Sequence, residues 1–163
     1  MQTLDDLQRL TPSQGVLLYR LVDLGYLTQA QANALIDQLV SDRFGKAVDY
    51  LGFARQLDPG VSLNQAHIIS RCYYAMYHAA RALVLHVRRA DVDDHARLSL
   101  ALGRVIGADY GDVLGQWREF RNQVDYSPYA PADSASRATT ALSDAAALLA
   151  ACRDELQNRG VNL

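Results

Sequence analysis

From Ser62 to Arg88 the chain reads SLNQAHIISRCYYAMYHAARALVLHVR, with no glycine or proline to interrupt a helix. Ser62-Leu63-Asn64-Gln65 has the form of a capping box, in which two side chains satisfy each other's orphan backbone donors. Unbroken, such a helix is about 39 Å long. Plotted at about 100° per residue, it separates into two faces. Ile69, Cys72, Tyr73, Met76, Ala79, Ala80, Leu83 and Val87 share an apolar arc. Ser70, Arg71, Tyr74, His78 and Arg81 gather on the other side, with His67 above them. A purely solvated face more often carries Glu, Lys and Gln. The mixture is expected either to satisfy hydrogen bonds between packed helices or to line a site.

The flanking sequence is also helical. Thr11-Pro12-Ser13-Gln14 and Thr28 to Gln31 read as capping boxes, and Gly25 stands where a helix C-terminal cap belongs. Ala32, Leu35, Ile36, Leu39 and Val40 recur at helical spacing. Ser41 or Asp42 is expected to open a further segment with Phe44, Ala47, Val48, Leu51 and Ala54 on one face. Gly45 argues against that helix, since an interior glycine costs about 1 kcal/mol. Asp58-Pro59-Gly60 is a turn. Beyond the central helix come a polar connection, Arg89 to Asp94, and helices from Asp94 to Ile106 and Asp109 to Tyr126. Pro128 and Pro131 force a loop, because proline disfavours helix in the residue before it. A last helix runs from Asp133 to Asn158. The whole predicts an all-α bundle over residues 42–163, with residues 1–41 as an added N-terminal helical hairpin.

Within the Asp109–Tyr126 helix, Val113, Trp117, Phe120 and Val124 form the expected core stripe. Leu114, Arg118, Arg121 and Asp125 lie on a neighbouring arc, with Arg121 and Asp125 spaced to pair. Gly107 is expected to break two helices and Gly115 to permit close packing.

The 163 residues carry a formal charge of −2, which argues against gripping nucleic acid by bulk charge. Fifteen arginines stand against one lysine, Lys46, a bias attributed to genome composition. Cys72 and Cys152 are too few for a disulfide framework and are expected to be inert core residues. Asp5 and Asp6 stand where a signal peptide needs positive charge, and the longest comparable apolar run, Ala145 to Cys152, has eight residues. A soluble cytoplasmic protein without membrane contact is expected. His67, His78, His86 and His95 lack the spacing of a helical zinc site, and no glycine-rich phosphate loop follows a strand. No metal or cofactor is implied.

The stretch Ser70-Arg71-Cys72-Tyr73-Tyr74-Ala75-Met76-Tyr77-His78-Ala79-Ala80-Arg81-Ala82-Leu83 resembles the signature helix of small prokaryotic HEPN-domain proteins, S-R-x-Y-Y-A-x-[FY]-H-A-A-R-A-L. Asp94-His95 and Arg121-Asn122-Gln123-Val124-Asp125-Tyr126, similar to R-N-x-x-D-Y, follow in the family's order. The resemblance covers about residues 42 to 158. It implies an antiparallel bundle that dimerises, with its polar motifs facing a cleft at the two-fold interface. Many members are metal-independent ribonucleases acting as toxins or defence effectors. Others bind RNA or nucleotides without cleaving, often beside a nucleotidyltransferase antitoxin.

The family's nuclease motif is Arg, a polar residue, and His five to seven positions after the Arg. The Arg would neutralise the scissile phosphate and the His would move protons for attack by the ribose 2′-hydroxyl. Arg121-Asn122 matches the first half. Tyr126, Ser127 and Pro128 occupy the positions of the His, and a phenol ordinarily keeps its proton at neutral pH. His78 or His67 is the conceivable substitute base. The resemblance thus implies a homodimeric toxin- or defence-associated module that binds RNA or a nucleotide. Arg118 and Arg121 would contact phosphate, Asn122 and Asp125 would orient them, and Tyr74 or Tyr126 would contact base or ribose. Arg71, His78 and Arg81 would line the same cleft. Tyr129 is the candidate for nucleotidylation by the partner. The alternatives are an active ribonuclease with a substituted proton shuttle, and a catalytically silent partner of the nucleotidyltransferase.

Overall fold

A computed structural model of the chain describes residues 14–129 and 131–163. It contains six helices and no strand among those residues: α1 (Gln14–Asp23), α2 (Gln29–Ala54), α3 (Ser62–Arg88), α4 (His95–Ile106), α5 (Ala108–Tyr126) and α6 (Ser134–Asn158). The protein is an all-α bundle. Residue pairings show that α2 and α5 run against α3: Asp37 lies by Arg89 and Tyr50 by Tyr74, while Arg121 lies by Tyr74 and Asp125 by Ser70. Among the described residues, no helix is long and apolar enough to cross a membrane.

The core forms around α3. The whole expected apolar arc except Val87 is buried, and so are Ile68, Ala75, Tyr77, Ala82, Val84 and Leu85 from its other sides. With helices packed all round, the second face of α3 is covered by α2 and α5 instead of by water. Ser70, Arg71, Tyr74, His78 and Arg81 are half-buried there, while His67 is exposed.

Several local expectations need correction. No break occurs at residue 41 or 42, so the expected boundary between residues 1–41 and 42–163 falls inside α2. The buried stripe Ala32, Leu35, Ile36, Val40, Phe44, Ala47, Leu51 and Ala54 crosses it without interruption. Burying those side chains outweighs the helix cost of Gly45, which faces open space. α1 packs on this helix through the buried Leu18. The Thr28–Gln31 capping box forms; the one expected at Thr11 to Gln14 lies, Gln14 apart, outside the described residues.

Ser62 makes no cap. Val61 takes that position, and Asn64 and Gln65 donate back to the carbonyls of Asp58 and Pro59. Gly107, at φ +113°, separates α4 from α5. The close approach between those helices is at Gly111 and not Gly115. A Cβ on Gly111 would lie 2.6 Å from the Ser99 carbonyl oxygen, whereas one on Gly115 would meet nothing closer than 3.9 Å. Leu114 joins Trp117 in the core, while Val113, Phe120 and Val124 are only partly covered. The Trp117 indole N–H donates to Asp144 across to α6 at 2.9 Å.

Candidate functional site

Helical spacing puts Arg71, Tyr74 and His78 on successive turns of α3 and Arg121, Asp125 and Tyr126 on the last turns of α5. Arg121 is the hub. Its Nη2 donates to the Tyr74 hydroxyl, and Nη1 donates to Asn122 Oδ1 at 3.1 Å and more loosely to the Tyr126 hydroxyl at 3.4 Å. Its Nε lies 2.8 Å from Asp125 Oδ2, which also accepts from Ser70 Oγ at 3.4 Å. The guanidinium carbon sits 5.1 Å from the Tyr74 ring centre and 5.3 Å from that of Tyr126. Burial works against the charge, but Tyr74 and Asp125 outweigh it and hold the pKa of Arg121 above its ordinary value. The side chain is only 13% exposed.

The aromatic surface continues onto α2. Tyr74 stacks on Tyr50 at 5.7 Å, and the Tyr50 ring is nearly parallel to His78 at 5.5 Å. Beside Tyr50 opens a cleft of about 370 Å³ lined by Lys46, Asp49, Tyr50, Phe53 and Arg71. Arg71 lies 5.5 Å from the Tyr50 ring centre and 5.8 Å from that of Phe53, and Lys46 lies 5.9 Å from Tyr50. Among the described residues, neither cation makes an ion pair. Sequence reading missed the α2 contribution. Its signal was present: positions 46, 49, 50 and 53 follow the i, i+3, i+4, i+7 rule on a face that flanks the buried stripe.

The other candidate residues are placed differently. Arg81 is outside the cluster: Nε and Nη2 bind the two oxygens of Asp91 at 2.8 and 2.7 Å, and Nη1 donates to Tyr77. Arg43 pairs with the same carboxylate, which is 5% exposed. Arg118 pairs at the surface with its neighbour Glu119. Tyr129 is 82% exposed in the loop after α5, where its N–H bonds Ser127 Oγ. His95 begins α4, as its sequence context suggested. Its Nδ1 is hydrogen-bonded to the Tyr73 hydroxyl, its ring stacks on Tyr77 at 4.3 Å, and Asp94 caps the helix. Both cysteines are buried and free, and burial pushes the Cys72 thiol up to about 12.

His78 lies next to Tyr50 and Tyr77, not in the circle of groups bonded to Arg121. Its Nδ1 is buried without a partner. Burial, then the charges of Lys46, Arg81 and Arg43, lower its pKa to about 4. The imidazole is therefore neutral at pH 7, and it is a weak base. No histidine is among the groups bonded to Arg121; the carboxylate beside it is Asp125. Among the described residues, no group of three or more His, Cys, Asp or Glu is arranged to hold a metal ion.

No protein-family description, curated protein or solved structure matches the chain.

Proposed function

We propose that the face shared by α2, α3 and α5 binds single-stranded RNA or a nucleotide without cleaving it. The observation that carries this reading is the run of rings from Tyr50 through Tyr74 to Tyr126, with Arg71 and Arg121 interleaved. Base–aromatic stacking is worth about 1–3 kcal/mol per base, and arginine supplies the phosphate contact. Such a surface does not need a basic protein. With few phosphate contacts, its affinity falls only gently with salt. The HEPN resemblance supports the same residues, since Arg71 and Tyr74 stand in one signature and Arg121 and Tyr126 in the other. On this reading the chain is a cytoplasmic, homodimeric module of a toxin–antitoxin or defence system, with a nucleotidyltransferase as partner. This reading leaves cleavage out because the motif histidine is replaced by Tyr126, Ser127 and Pro128, and His78 stacks on Tyr50 and Tyr77 without a bond to Arg121.

One observation favours a second reading, a silent interaction partner: Arg121 is mostly enclosed and already paired. The experiment is anisotropy of a labelled single-stranded RNA with the native chain and Arg121→Ala, followed by a gel in excess EDTA. Saturable binding, weakened about tenfold in Arg121→Ala, with the RNA intact, is the expected result. No binding by the folded native protein leaves the silent partner. Metal-independent cleavage abolished by Arg121→Ala makes it a ribonuclease.

A further inference from the structure

The cleft between α2 and α3 has a composition that hydrogen bonding within the chain does not explain. Its rings, Tyr50 and Phe53, are a floor on which Arg71 and Lys46 lie. Phe53 is 48% exposed, unusual for a phenylalanine that could have been buried. Asp49 lines the same cleft, yet among the described residues it pairs with neither cation. The volume, about 370 Å³, lies in the range of small-ligand sites.

These groups fit one class of molecule. The two cations, Arg71 and Lys46, match the charge of about −2 that a phosphate monoester carries at pH 7, which leaves Asp49 for another part of the ligand. Arg71 offers a planar fork to phosphate oxygens, and Lys46 a point charge. The rings offer a stacking surface to a base. An ionised carboxylate only accepts hydrogen bonds. Asp49 therefore suits a base edge with an amine, such as cytosine N4, adenine N6 or guanine N2, and repels the carbonyl that uracil has in place of cytosine's amine.

We infer that this cleft seats one nucleotide whose base carries an exocyclic amine (cytosine, adenine or guanine, and not uracil), with Asp49 accepting from the amine and Arg71 and Lys46 holding the phosphate. The inference rests on the reading of this face as a nucleotide surface, and it adds which nucleotide is chosen and by which residues.

The test is calorimetry of the full chain with cytidine monophosphate, uridine monophosphate and inorganic phosphate. Cytidine monophosphate is expected to bind about tenfold more tightly than the uridine nucleotide, as for one charge-assisted hydrogen bond. Phosphate alone binds more weakly than either. Asp49→Asn, whose amide can donate or accept, brings the two nucleotides to near-equal affinity. Arg71→Ala weakens both about tenfold and leaves their ratio unchanged. Equal affinity for the two nucleotides in the native chain overturns the inference, as does a preference that survives Asp49→Asn. Phosphate binding as tightly as cytidine monophosphate also overturns it. If the nucleotide preference holds and single-stranded RNA does not bind, the RNA reading fails and the cleft stands. RNA binding that needs Arg121, with no nucleotide preference, overturns the cleft alone.

Discussion

Arg71 and Arg81 stand on the same helix, ten residues apart, and meet opposite fates. Arg81 reaches a carboxylate that is 5% exposed and binds it through two nitrogens, while Arg43 closes on the same group from α2. Arg71 lies against the rings of Tyr50 and Phe53 at the edge of a cleft. Its N–H donors are not committed to any described residue. One arginine fastens the Arg89–Asp94 connection to α3 and α2; the other keeps its hydrogen-bonding capacity unused by the described residues. A motif that contains both gives them equal weight. Their partners separate structure from site.

The sharpest way to break this contrast is to remove the carboxylate. Asp91→Ala leaves two half-buried guanidinium groups without their shared partner, and a loss of about 3 kcal/mol or more is expected. Urea denaturation measures it. A loss below about 1 kcal/mol would mean that the Asp91 network holds little, and Arg81 would return to the list of site residues. Burial would raise the Asp91 carboxyl, but the hydrogen bond from Arg81 and the charges of Arg43 and Arg81 hold it below its ordinary value of 3.8. Its contribution is therefore complete above that value and is lost only as pH falls through the lower folded pKa. Native and Asp91→Ala proteins should converge in stability only in strong acid.

A second prediction concerns the open side, through His78. The folded protein resists protonating this ring, whose pKa is lowered from 6.5 to about 4 by burial and by the charges of Lys46, Arg81, Arg43 and His95. The unfolded chain takes up the proton first. Stability from this group is therefore intact above pH 6.5 and declines as pH falls toward 4. His78→Gln should flatten that part of the profile, while His86 and His95, also lowered by burial, keep their own share. Denaturation midpoints between pH 7.5 and 4 report the difference. Superimposable slopes would show that His78 is not held neutral, and the argument against its acting as a base would weaken.

How much of this was legible in the sequence follows from what periodicity can carry. Capping residues, Gly25, Gly107 and the two prolines mark the helix ends, and the apolar arc of α3 gives seven of that helix's thirteen buried residues; the other six are buried because helices pack on more than one side. The bond between Arg121 and Tyr74 spans 47 positions, so spacing could place each on a face but not predict their meeting. The same holds for Arg81, whose partner lies in the following connection, and for Arg71, which meets Tyr50 across an interhelix gap. Gly45 misled because an intrinsic helix cost was weighed without the packing that exceeds it. Lys46, Asp49, Tyr50 and Phe53 formed a periodic stripe, but it drew no attention beside the stronger apolar stripe of the same helix.

The smallest expected effects set Arg121 against Arg71 directly. Arg121→Ala removes donors from Asn122 and Tyr74 and leaves Asp125 without its ion pair, besides the guanidinium that lies against the rings of Tyr74 and Tyr126. A loss of about 1–2 kcal/mol is expected, because an enclosed polar network is cut at its centre. Arg71→Ala removes only contacts with ring faces at a cleft edge, and its effect should stay within about 0.5 kcal/mol. Both variants should weaken ligand binding, so stability is what tells them apart. If both cost the same in urea denaturation, Arg71 is as structural as Arg121, and the contrast between a fastened and an available arginine fails on the side of the cleft.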